Sequence, residues 1–139
     1  MAHPRTRRES VMQPTTRLWT GRALSALAVL FMLFDTIGHL LRNQPVVDAF
    51  ARLGYPLSLS VGLAIVELVC TIAYVFQPTS ILGAILLTGY LGGAVAAQAR
   101  IGSPLLSTTL FPIYIAILVW GGLWLRDELL RALIPLRRR

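Results

Sequence analysis

The chain has 139 residues, of which 55% are hydrophobic and only 14% charged, and its formal net charge is +7. That length supports one domain, and so little charge argues against an ordinary soluble fold. The basic residues are 13 Arg and no Lys, and because most of them cluster at the two ends of the chain, the excess charge does not describe a nucleic-acid-binding face.

Residues 1–17, MAHPRTRRESVMQPTTR, read as a basic solvated tail beside a membrane. Their Arg, Ser and Thr content is also that of an organellar transit peptide, the weaker reading. An apolar segment follows from about 20 to 41, long enough at 1.5 Å per residue to cross about 30 Å of hydrocarbon. It is read as a retained span and not a signal peptide, because it is long, contains Asp35 and is not followed by a small-x-small cleavage site. Near its end stands FDTIGHLLR, in which Asp35 and His39 lie one turn apart on one helix face.

The next stretch, NQPVVDAFARLGYP, predicts a short amphipathic helix lying at the membrane interface, with an irregular loop as the alternative reading. Pro45 suits a first turn, Val46, Phe50 and Leu53 share a face, Asp48 and Arg52 are spaced for an i,i+4 pair, and Gly54 precedes Pro56 as a stop. A second span runs from 57 to 76 with Glu67 near its middle. QPTS at 77–80 is so short a link that spans 2 and 3 must be antiparallel neighbours. Span 3, 79–98, contains ILGAILLTGYLGGAVAAQ, where Gly89, Gly93 and Ala97 form one row of small residues and Gly92 and Ala96 another. Such rows let a second helix approach closely, in this chain or in a second copy of it. RIGSPLLS then leads to span 4, 107–125. Trp120 and Trp124, with Trp19, read as headgroup-level anchors. Residues 128–139 close the chain as a second basic tail.

Each span must be helical, because unpaired backbone amides cannot face lipid. Residues 68–99 and 101–125 contain no charged side chain at all. With four spans, the two tails and the 77–80 link lie on one side and carry 10 Arg, against Arg42, Arg52 and Arg100 on the other. Basic loops are retained in the cytoplasm, so both termini are expected there, and the basic ends should attract anionic lipid headgroups.

Asp35 and Glu67 are the acidic residues inside spans, and an acid at mid-membrane costs about 2.5–3.5 kcal/mol on insertion scales. Comparing depths along the four spans brings Asp35, His39, Tyr90, Gln98 and Tyr114 toward one cleft in the outer half, with Arg100 near its outer end and Glu67 below them. Two readings of the Asp35–His39 pair stand side by side: it fastens helices, or Asp35 orients His39 for proton exchange. Glu67 likewise either bonds to a neighbouring helix or handles a ligand or proton. Counting excludes other chemistry. Cys70 is the single Cys, which rules out an intramolecular disulfide relay. His39 is the single intramembrane His, too few for bis-His haem ligation or a di-iron carboxylate site. There is no phosphate-cradling glycine loop and no nucleophile elbow, and no metal is expected.

LGYP at 53–56, GLAIVELVC around Glu67, ILGAILLTGYLGGAVAAQARIG at 81–102 and LFPIYIAILVWGGLWLRD at 110–127 together resemble the DoxX-like family, over about residues 18–136. The resemblance implies a small four-helix integral membrane protein. The wider DoxX group includes a membrane subunit of a thiosulfate:quinone oxidoreductase, so it further implies association with redox enzymes and a quinone as cofactor. Where relatives read GGAVATHVR, this chain has Gln98 in place of His. A Gln hydrogen-bonds but does not exchange protons near neutral pH.

The expectation is therefore an all-α protein. Residues 18–127 should form an antiparallel four-helix transmembrane bundle with a short interfacial helix between helices 1 and 2, multi-pass in the cell membrane, between basic tails at 1–17 and 128–139. Its leading function is a membrane subunit or quinone/lipid-binding module working with a redox-enzyme partner. The alternatives are a small membrane enzyme doing acid/base isomerisation with Asp35, His39 and Glu67, and a purely structural helper. Membrane lipids and a second copy bound through span 3 are the other expected partners.

Overall fold

The computed structural model describes residues 14–134; the tail at 1–13, with His3, and the arginines at 137–139 lie outside the described residues. Among the described residues there is no strand. The helices are α1 (Pro14–Leu41), α2 (Gln44–Leu53), α3 (Leu59–Val75), α4 (Ser80–Arg100), α5 (Phe111–Arg126) and α6 (Glu128–Leu133). A 3₁₀ turn at Gln77–Thr79 joins α3 to α4, and a π turn at Leu105–Thr109 leads into α5.

Among the described residues three segments are long and apolar enough to cross a membrane: Pro14–Leu41, Gln77–Arg100 and Leu105–Arg126, with mean hydropathies of 1.9, 1.7 and 1.7. The fourth apolar helix, α3, has 17 residues, about 26 Å of helix against about 30 Å of hydrocarbon. It is shorter than the 57–76 read from hydropathy, because the segment after Pro56 remains a turn through Ser58 and the chain leaves the helix at Phe76 before Pro78. Proline's missing amide makes both positions natural boundaries.

α1 packs on α3 and α5, and α4 packs on the same two helices, so the four contacts close a ring. Ala28 and Met32 of α1, Tyr74 of α3, Leu87 and Leu91 of α4, and Ile115, Val119 and Leu123 of α5 are buried inside it. The glycines that bring helices together lie at Gly21, Gly83 and Gly122. A Cβ on Gly83 would stand on the backbone of Tyr74 and Ala73, and one on Gly21 would meet the Gly122 carbonyl oxygen and Leu125 Cβ, each at 2.9 Å. Tyr74, 1% exposed, ties three helices at this level. Its hydroxyl donates to the Val119 carbonyl at 2.9 Å and shares a hydrogen bond with Ser25 Oγ at 2.8 Å. The outward faces are apolar, with Leu30, Ile65, Val69, Ile72, Ile85 and Ile117 exposed around the ring. So much apolar surface suits hydrocarbon and not water.

Some local readings need amendment. α2 forms where the pattern places it, entered through Asn43, whose Oδ1 accepts from Val46 N at 3.2 Å, and left through Gly54 at φ 69. Asp48, however, accepts from Gln44 Nε2 at 2.8 Å, while Arg52 Nε reaches only the Asp48 carbonyl at 3.4 Å. Trp120, expected as an interfacial anchor, clasps two helices, since its Nε1 donates to Thr88 Oγ1 of α4 at 2.8 Å. Residues 128–133, read as tail, form α6, with Asp127 Oδ1 accepting from Leu130 N at 2.9 Å as its cap.

Candidate functional site

At the α2 end of the ring lies a cavity of about 730 Å3. α2 roofs it: Val46, Phe50 and Leu53, the face expected from the sequence, turn toward the cavity together with Ala49. α1 supplies Phe31, Phe34, Asp35 and His39, and α4 supplies Tyr90, Gln98 and a row of small residues. Phe111 and Ile115 of α5 and the π turn's Ser107 and Thr108 complete the wall. Volume and composition match a site for a small, mostly apolar ligand with a few hydrogen-bonding groups.

Asp35 and His39 stand side by side as their spacing dictates, with His39 Nε2 3.7 Å from Asp35 Oδ2. That separation suits an ion pair and is too long for a hydrogen bond. The His39 ring sits edge-on to Phe50, with centroids 5.6 Å apart, so the roof helix holds it. Ser60 Oγ donates to the His39 carbonyl at 2.6 Å and fixes the α1 backbone there against α3. His39 Nδ1 is buried with no hydrogen-bond partner among the described residues, whereas the Asp35 side chain is 51% exposed.

Glu67 does not line the cavity. It is fully buried on α3, one layer behind, and the polar side chains facing its carboxyl are Asp35, Thr36 and Tyr90. Tyr90 joins the two layers: it lines the cavity, and its hydroxyl donates to Glu67 Oε2 at 3.4 Å. Among the described residues Glu67 Oε1 and Thr36 Oγ1, both buried, have no hydrogen-bond partner. Among the described residues no three His, Cys, Asp or Glu side chains gather as a metal-ligand set, and Cys70 is a buried free thiol.

Gln98 lines the far wall, where its Oε1 accepts from Ser103 Oγ at 2.7 Å. That leaves its amide N–H groups available to the cavity. Tyr114 is absent from the wall; its hydroxyl donates to the Leu106 carbonyl at 3.0 Å, and the ring is 43% exposed on the outside. Four of the six residues singled out from the sequence thus share the cavity, Glu67 backs it, and Tyr114 braces the π turn.

Gly89 and Gly93 also border the cavity with Ala94 and Ala97, and a Cβ built on Gly89, Gly92 or Gly93 meets nothing within 4 Å. Among the described residues no helix packs against these three glycines. The close helix approach occurs instead at Gly83, a turn and a half earlier. Depth alone did not reveal two parts of the wall, the edge-to-face pair Phe31–Phe111, with centroids 5.9 Å apart, and the π turn, while Arg100, expected near the outer end of the cleft, does not line the cavity. Arg100 Nη2 donates to the Leu53 carbonyl at the end of α2, and its guanidinium lies 5.7 Å from the Tyr55 ring centroid, so it latches the roof to α4. Its standing as the one charged residue between Glu67 and Arg126 was the available signal.

Helices of membrane-crossing length with apolar outer faces, packed around a cavity that holds both a hydrogen-bonding cluster and aromatic walls, describe an all-helical membrane protein. The chain belongs to the DoxX-like family, whose model matches residues 23–122. No curated protein and no solved structure matches it.

Proposed function

We propose that the chain is an antiparallel four-helix bundle, multi-pass in the cell membrane with both ends cytoplasmic, and that its cavity binds a polar-headed lipophile of the quinone class. In this reading it serves as a membrane subunit or quinone/lipid-binding module alongside a redox enzyme. The observation that carries the reading is the cavity of about 730 Å3, in which Asp35, His39, Tyr90 and Gln98 meet inside walls of Phe, Gly and Ala. His39 Nε2 and the Gln98 amide supply hydrogen bonds to carbonyl or hydroxyl oxygens of the head, and the aromatic side chains of α1 and α5 receive its ring. Support for the antiparallel order comes from paired neighbours. Tyr90 meets Glu67 while Gly83 meets Tyr74, and Phe31 meets Phe111 while Gly21 meets Gly122.

The isomerase alternative asks Glu67 to touch the substrate, and its burial behind Tyr90 favours the binding reading over it. The test is saturable binding of decylubiquinone to the full chain in nanodiscs. Asp35→Asn and His39→Gln should leave the bundle folded and lower occupancy. A folded wild-type bundle that neither co-purifies with a lipophilic small molecule nor binds decylubiquinone saturably refutes the reading.

A further inference from the structure

A second recess, of about 280 Å3, lies where the first turn of α1 meets the corner between α5 and α6. Arg17 reaches it from α1, Arg126 from the last residue of α5 and Arg131 from α6, with Glu128 as the acid on its wall. Glu128 is already engaged: its Oε1 accepts from Arg131 Nη2 at 3.2 Å, while Arg131 Nη1 donates to the Leu125 carbonyl at 3.1 Å. Arg126 is held differently. Its guanidinium lies 5.3 Å from the centroid of the Tyr74 ring, and Tyr74 is itself pinned by Ser25 and Val119. Among the described residues, the Nε of Arg126 is buried without a hydrogen-bond partner. A guanidinium stacked on one face keeps its N–H edge for an acceptor in its own plane, and the acceptor it fits best is an oxyanion.

Leu18 and Leu125 give the recess apolar walls. Around it, Trp19 is 63%, Leu129 73% and Leu133 75% exposed. Exposed indole and leucine side chains beside arginines are the pattern of a surface at headgroup depth. A free phosphate meets only the guanidinium groups. A phospholipid meets those and the apolar rim together.

We propose that this recess binds the phosphate of an anionic phospholipid, held by Arg17 and Arg126 with Arg131 beside them, so that one lipid bridges the start of α1 to the α5–α6 corner. The site is separate from the cavity and does not depend on what the cavity holds. The experiment uses the full chain in phosphatidylcholine nanodiscs with and without phosphatidylglycerol, with retained lipid counted by native mass spectrometry and thermal stability read in parallel. Wild type should retain phosphatidylglycerol and gain stability from it. Arg17→Gln, which alters a residue outside the buried core, and Arg126→Gln should each lower retention about fivefold, while Arg52→Gln on α2 should leave it unchanged. Arg126→Lys keeps charge and folding while losing the fork, and should fall between. Equal retention by wild type, Arg17→Gln and Arg126→Lys overturns the proposal. So does an equal loss with Arg52→Gln, which would mark diffuse charge attraction. Stabilisation by inorganic phosphate in phosphatidylcholine discs as large as that by phosphatidylglycerol would also overturn it, in favour of a soluble phosphate-bearing ligand.

Discussion

Replacing Gly83 by Ala adds one methyl group at the closest approach of α3 and α4. The new Cβ would overlap the backbone nitrogen and Cα of Tyr74 and the carbonyl carbon of Ala73. Backbone atoms cannot rotate aside as a side-chain tip does, so the two helices must separate. Separation loosens the fully buried contacts of Leu87 and the clasp that Tyr74 makes with Ser25 and Val119. Overpacking of this kind costs about 1–3 kcal/mol, and the Gly-to-Ala change in a helix returns about 0.5–1 kcal/mol. The net expectation is a loss of roughly 1–2 kcal/mol, a five- to thirtyfold drop in the folding equilibrium. Gly93→Ala is the matched control, because its Cβ meets nothing within 4 Å, and it should gain about 0.4–1 kcal/mol. Both are measured by reversible unfolding in mixed micelles, followed by tryptophan fluorescence, with Trp120 a reporter on the α4–α5 contact through its bond to Thr88. Equal stabilities for the two variants would refute the packing of α3 on α4 at this level.

Tyr74→Phe removes the hydroxyl that bridges Ser25 and Val119, and at about 0.6–1 kcal/mol per bond it should lower stability by about 1–2 kcal/mol in the same assay; an unchanged midpoint would mean the clasp does not form. Glu67→Gln should preserve folding better than Glu67→Leu by about 1 kcal/mol, since Gln keeps an acceptor for the Tyr90 hydroxyl and Leu leaves it without one; equal stabilities would remove Glu67 from any structural hydrogen bond. Reporter fusions at residue 139 and within residues 43–56 should be active in the cytoplasm and the periplasm respectively, and the reverse pattern would overturn the orientation read from the arginines.

Much of the cavity was legible in the sequence because helices are periodic. Asp35 and His39 share a face by spacing alone, and depth counting from helix ends brings Tyr90 and Gln98 into the same half of the bundle. Tyr114 shows the limit of that counting. Depth puts it level with Asp35, but rotation about the helix axis points its ring outward, and rotation depends on which neighbours a helix packs against. Glu67 shows the same limit in a milder form, reaching the right depth one layer behind the wall.

The sequence by itself determined that this is an all-helical membrane protein, the family, the amphipathic helix at Gln44–Leu53 and the bounds of α3, α4 and α5 to within a few positions, but not the start of α1 at Pro14, inside the stretch read as tail, nor α6. These follow from hydrophobicity, length and local turn chemistry, which are properties of neighbouring residues along one chain. Only the tertiary structure decided that Gly83, and not the Gly89–Gly93 row, brings α3 and α4 together. It alone decided that α2 roofs a cavity and that Arg17, Arg126 and Arg131 converge on one recess. Every glycine offers the same absence of side chain to the sequence; whether that absence is filled by another helix or left as open space depends on where the remote backbone lies, and no local pattern encodes it.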